Sequence, residues 1–138
     1  MENQARCAIR TVPVGKSNIV QEASIDGPFM ALFPGRDDWN RARADAGLAT
    51  TGHDDMHAGE LETSILLHTS PHVVRDGNGT ADFDASNRPH LLTLGMRGYT
   101  DTGVIGKPSL GSAAKGKAII ESLVESFNEH LQLLGGPR

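Results

Sequence analysis

A chain of 138 residues has room for one domain with a modest core. Its net charge of −4 is spread along the chain and offers no basic patch for nucleic acid. Aromatics at 4%, with 16 glycines and 7 prolines, predict a thin aliphatic core and much turn and loop.

Residues 1–16 mix charge with the β-leaning Thr11-Val12-Pro13-Val14 and show no clear periodicity. They hold Cys7, the single cysteine, which excludes an intrachain disulfide and fits a reducing compartment. The start lacks the apolar core of a secretory signal, and no apolar run nears the roughly 20 residues a bilayer needs. A cytoplasmic chain with no membrane partner is the expectation.

Ser17 to Ala23 predicts a short helix, and Asp26-Gly27-Pro28 a turn. Phe29-Met30-Ala31-Leu32-Phe33, flanked by prolines, reads as a buried strand. A helix is expected over Asp37–Ala46, with acids in its first turn and Gly47 as its stop. A polar loop leads to a second helix, from about Gly59 to Thr69, that ends before Pro71. Residues 76–90 read as a long solvated loop, and His90-Leu91-Leu92-Thr93-Leu94 as a strand. A glycine-rich connection, Gly95 to Gly111, precedes a long helix from about Ser112 to Leu134. Ile119 or Ile120, Leu123, Phe127, Leu131 and Leu134 make its apolar stripe. Short apolar runs alternating with helices indicate an α/β layered domain.

The chemistry-bearing segment is Gly52 to Ser64, where His53 and His57 stand among Asp54, Asp55, Glu60 and Glu62. Imidazoles and carboxylates that converge can hold a metal whose bound water is activated. A histidine near neutral pKa can act as base and then as acid, with a carboxylate orienting its other nitrogen. His57, on a loop just before a helix, suits that role, and Asp54 or Glu62 suits the orienting one. The competing reading makes the four acids helix caps and leaves both histidines solvated, since H-E-x-x-H is absent. Glu62 resists it, because it lies one turn from Leu66 on a partly apolar face where an unpaired acid is costly.

Two other patterns fail. Asp101 and Pro108 stand where a phosphate-binding loop needs Gly and Ser or Thr. Ala81 and Asn87 stand where a calcium loop around Asp76-Asn78-Thr80-Asp82 needs Gly and Glu. There is no G-x-S-x-G elbow, and Cys7 has no histidine nearby in sequence.

His57-Ala58-Gly59-Glu60-Leu61-Glu62-Thr63-Ser64, followed by Leu66-Leu67 and Pro71-x-Val73-Val74-Arg75, resembles a signature of the creatininase family. Gly103-Val104-Ile105-Gly106-Lys107-Pro108, then Ala114-Lys115-Gly116 and the terminal helix, is similar to the same family. The resemblance runs over about residues 17–134. It implies a three-layer α/β/α sandwich, often in homo-oligomers, that hydrolyses a non-peptide or cyclic C–N amide bond in a small molecule. The water there bridges two divalent metals, usually zinc, manganese or iron. His57 matches the family's catalytic, substrate-contacting histidine, Asp54 a substrate-side acid, and Glu62 the acid of the E-T-S triplet.

The resemblance covers the C-terminal part of the family pattern. The E-x-H pair, the following Asp and the N-G-H turn that bring most metal ligands have no match, and Cys7-Ala8-Ile9-Arg10-Thr11-Val12 stands in the place of N-G-H. Residues 1–16 are therefore read as a divergent segment, and 17–138 as the C-terminal part of an amidohydrolase domain with an incomplete sandwich. The expectation is a truncated amidohydrolase, inactive alone, with His53 and Glu60 as the remaining candidate metal ligands. The alternatives are a non-catalytic subunit pairing with a separate N-terminal half or a full-length relative, and a small module binding metal through His53, Asp54, His57 and Glu60.

Overall fold

The computed structural model describes residues 32–135. The helix expected at Ser17–Ala23, Cys7, and Phe29 to Ala31 of the expected strand lie outside them. Leu32 and Phe33 are not in a strand, and Leu32 is exposed.

Helix α1 spans Arg36–Asp45. Asp38 caps it by accepting the Gly35 N–H at 2.8 Å, and the Ser126 hydroxyl and that N–H hold its carboxyl below the usual value. After Ala46, Gly47 takes φ 61°, and the Leu48 N–H turns back to the Arg43 carbonyl at 3.0 Å. That left-handed stop is why a glycine stands there. Helix α2 covers Glu60–Thr69 and gives way at Ser70 before Pro71. Helix α4 runs Ala113–Gly135, its first turn capped by Ser112 Oγ accepting the Lys115 N–H at 3.3 Å.

The run at His90–Leu94 is a correction. It forms one helical turn, α3 (Leu91–Leu94), and no strand. Leu92 and Leu94 are exposed, and no neighbouring strand offers its backbone groups. The N–H groups close locally instead, Leu94 onto His90 at 2.9 Å and Gly95 onto Leu91 at 2.8 Å. Short apolar runs carry too little periodicity to distinguish the two outcomes.

The core is small: Ala42, Leu61 and Ile119, with Trp39, Leu48, Ile65 and Leu123 packed around them. It sits where α1 and α2 meet α4. Between α2 and α4 the backbones nearly touch, since a Cβ on Gly116 would lie 1.9 Å from the Ser64 carbonyl oxygen. Between α1 and α4 the seam is largely polar, with Ser122 donating to Asp45 at 2.6 Å, Ser126 donating to Asp38, and Arg41 pairing with Glu129 at 3.0 Å. The expected apolar stripe of α4 is therefore divided. Ile119 and Leu123 join the core, whereas Phe127 and Leu131 are exposed.

Among the described residues there is no regular strand. Two isolated antiparallel bridges join His57 to Ile105 and Phe83 to Gly106, so Ile105-Gly106 forms the middle of a short three-segment ladder. The three-layer sandwich is not present in this part of the chain, which is helical around that ladder. No helix of the described residues is long and apolar enough to cross a membrane.

Candidate active site

The ladder and the start of α2 build the site. His57 is pinned on its backbone, its N–H donating to the Ile105 carbonyl at 3.0 Å and its carbonyl accepting the Ile105 N–H at 3.0 Å. Ala58 then turns the chain with φ 53°, a left-handed conformation that costs an alanine about 1–2 kcal/mol. That turn lets the Ala58 N–H donate to Glu62 Oε2. Gly59 follows with no room for a side chain, because a Cβ would lie 1.5 Å from Asp55 Oδ1 and 3.0 Å from Gly106 Cα. Gly59 and Gly106, from the two distant motifs, thus pack against each other around one carboxylate.

That carboxylate belongs to Asp55, whose side chain is 1% exposed. It accepts the Glu60 N–H at 2.6 Å and the Leu61 N–H at 3.0 Å, satisfying two of the unpaired donors at the start of α2. It also pairs with Arg43 at 3.1 Å, which ties α1 to α2. Asp55 is a helix cap, as the competing reading of the acids had it.

His57 Nδ1 lies 3.6 Å from Glu62 Oε2, and both side chains are about half exposed (53% and 51%). The burial expected for Glu62 beside Leu66 is not found, since Leu66 is itself exposed. So exposed a pair adds about 0–1 kcal/mol of stability. The pair is nevertheless held from both ends, by the Ile105 ladder and by the start of the helix. Among the ionisable groups singled out from the sequence, these two are brought together beside open solvent.

The other candidates are spent on architecture. Glu60 has no exposed side-chain surface. It meets Lys115 Nζ at 2.6 Å and accepts from the Ala49 N–H, the Thr50 N–H and the Thr50 hydroxyl at 3.0, 2.9 and 2.8 Å. Burial pushes its carboxyl up, but Lys115 and these donors outweigh that and leave it below its ordinary value. His53 Nε2 donates to the Ser86 carbonyl at 2.8 Å, and Arg88 donates to the His53 carbonyl at 2.8 Å. Asp54 accepts from Thr51 Oγ1 at 2.7 Å and Ser86 Oγ at 3.1 Å, and these hydroxyls lower its carboxyl. Asp54 and His53 therefore fasten the 51–54 turn to the 84–88 loop, and neither bonds to His57.

The divalent metals implied by the resemblance do not fit this set. Among the described residues no group of three or more His, Cys, Asp or Glu side chains is placed to hold an ion. Glu60 is committed to Lys115, and the Nε2 of His53 is committed to a carbonyl.

The other half of the family resemblance closes on α2 from behind. Ser112 N–H donates to Ser64 Oγ at 3.1 Å, and a Cβ on Gly111 would lie 2.9 Å from Thr63 Cγ2. The Thr and Ser of the E-T-S triplet thus pack the helix that carries Glu62 onto α4. Residues that the sequence did not single out also shape the surroundings. Arg36, Trp39, Asn40 and Arg43 recur at helical spacing on one side of α1 and border a groove that reaches Glu62.

Comparison with known proteins places the chain in a family. A mycofactocin precursor peptide peptidase of Mycobacterium tuberculosis is 40% identical over 78 residues, which is 51% of this chain and 30% of that protein. One from Mycobacterium ulcerans is 38% identical over 86 residues, 59% of this chain and 34% of that protein. The matched stretch thus spans about a third of the length of these relatives. No solved structure matches the chain. The family model for creatinine amidohydrolase matches residues 7–131. The chain is a member of the creatininase family.

Proposed function

We propose that this chain supplies the proton-transfer part of an amide-hydrolysing site, with His57 as acid and base and Glu62 as the residue that orients it. One observation carries the reading: an exposed His57–Glu62 pair, 3.6 Å apart, fixed by a backbone ladder on one side and a helix start on the other. Glu62 faces Nδ1 and favours a proton there, which leaves Nε2 to work on substrate. Nε2 takes a proton from water as the water oxygen bonds to the amide carbon. It then returns that proton to the nitrogen as the C–N bond breaks, so His57 ends as it began. Asp54, bonded to Thr51 and Ser86, keeps its structural place in the 51–54 turn.

Magnitudes define the scope of this reading. Acid–base catalysis contributes about 10²–10⁴-fold, whereas enzymes reach about 10⁶-fold or more. The pair is therefore one part of a site. No metal-binding set is found among the described residues. The rest of the three-layer sandwich and of the site comes from outside residues 32–135, and the chain by itself is expected to show no turnover.

The relatives' names point to a peptide substrate, and the test follows from that. In a hybrid, residues 52–131 of this chain replace the matching stretch of the Mycobacterium tuberculosis relative. Cleavage of that relative's precursor peptide is then followed by mass spectrometry. The hybrid is expected to cleave, its His57→Ala form to lose at least 10²-fold in rate, and Glu62→Gln to lose less. Equal cleavage by the hybrid and its His57→Ala form would remove the assignment.

A further inference from the structure

Two concavities on the described surface differ in their chemistry. One, of about 300 Å³, is lined by Phe33, Ile120, Leu123, Val124 and Phe127 and is apolar throughout. Such a surface suits packing, not recognition. The other, of about 670 Å³, lies between α1 and α2 and is mixed. Its apolar floor is Trp39, Leu61 and Ile65, while Arg36 and Glu62 supply charge.

Glu62 belongs both to this groove and to the pair with His57, so whatever fills the groove lies beside the proton-transfer residues. The other charges along it are already matched, Arg43 with Asp55 at 3.1 Å. Arg36 is exposed and forms no ion pair among the described residues. Arg36 and Arg43 lie seven positions apart on α1, about 10 Å along the axis. Arg43 meets Asp55 at the foot of α2, near Glu62. A guanidinium with no ion pair among the described residues thus stands at one end of an apolar floor, with the His57–Glu62 pair toward the other. An extended chain covers that span with about three residues.

We propose that the α1–α2 groove is the substrate-recognition cleft for this site. Its ligand is an acylated amino acid or short peptide with a free carboxylate, bound by Arg36, and a bulky apolar side chain, bound against Trp39. The inference rests on the assignment of His57 and Glu62 for its link to catalysis, but not for binding. A fork-shaped guanidinium binds a planar carboxylate through paired charge-assisted hydrogen bonds. The aromatic and aliphatic floor rewards the side chain by removing it from water. A neutral amide forfeits the first interaction, and a glycine derivative the second.

Trp39 is the only tryptophan in the chain, so its fluorescence reports on this groove alone. The full chain is titrated with N-acetyl-phenylalanine, its carboxamide, and N-acetyl-glycine. Saturable change in Trp39 emission is expected with the first, with at least tenfold weaker binding of the other two. Arg36→Ala should weaken the carboxylate at least tenfold and leave the carboxamide unchanged. Arg36→Lys should recover part of the loss, because it keeps charge but not the fork. Binding is read without turnover, so failed catalysis and failed binding remain separable. Equal binding of acid and amide, no effect of Arg36→Ala, or no saturable change at millimolar probe would each overturn the proposal.

Discussion

Replacing Lys115 with methionine probes the ion pair beneath the site. The Glu60 side chain has no exposed surface, so without Lys115 Nζ, 2.6 Å away, its charge has no access to water. Removing one partner of a buried pair costs about 3–5 kcal/mol. Ala49, Thr50 and the Thr50 hydroxyl still donate to the carboxylate, which places the expected loss near the lower bound, about 3 kcal/mol. Glu60→Gln strands Lys115 instead. That side chain is 27% exposed and already donates to the Leu110 carbonyl at 2.9 Å. It can turn to solvent, so a smaller loss, about 1–2 kcal/mol, follows from one weakened buried hydrogen-bond set. Urea unfolding of the full chain measures both, and the expected order of stability is parent, Glu60→Gln, then Lys115→Met. The double variant should lie above Lys115→Met, since no lone charge remains in the core. A loss under about 1 kcal/mol in Lys115→Met, or a larger one in Glu60→Gln, would refute the reasoning.

Acid sensitivity follows from the same group. The folded-state value of Glu60 lies below its ordinary 4.5, so its contribution is full above the unfolded value and is lost as pH falls through the folded one. Stability measured against pH should decline less steeply below about pH 4.5 in Glu60→Gln than in the parent. Gly116→Ala gains about 1 kcal/mol of helix propensity, yet its Cβ would sit 1.9 Å from the Ser64 carbonyl. A lowered melting temperature is expected, and a raised one would contradict the close packing of α2 on α4. Asp55→Ala removes the cap of α2 and the partner of Arg43. Chemical denaturation should show a loss of about 3 kcal/mol or more, and Asp55→Asn should restore part of it. Ala58→Gly should match or slightly exceed the parent in thermal unfolding, whereas Ala58→Val should lose about 1–3 kcal/mol at that left-handed position.

Legibility tracked the strength of local signals. The three longer helices were readable to within a residue or so, because capping residues, stops and three- and four-residue periodicity are written along each one. The four-residue run Leu91–Leu94 was misread, since strand or helix there depended on whether a neighbouring strand was present to pair with it. His57 and Glu62, singled out from the motif, stand 3.6 Å apart in the structure. Asp55 and Glu60 look like His57's neighbours in sequence, yet their carboxylates point inward to α2 and Lys115. Spacing along a loop contains no information about that direction.

The sequence by itself determined the family, through two motifs far apart along the chain. It also determined the helices, whose periodicity and caps are local properties. Only the tertiary structure showed why those motifs occur together. Gly59 and Gly106 meet around the Asp55 carboxylate, His57 pairs with Ile105, and Ser64 receives the Ser112 N–H. Each contact joins residues tens of positions apart and depends on the absence of a side chain or the direction of a single N–H. Such requirements leave a glycine or a serine in the sequence but no periodicity. The division of labour among the acids was decided in the same way, because burial and hydrogen-bond partners come from the fold and not from the order of residues.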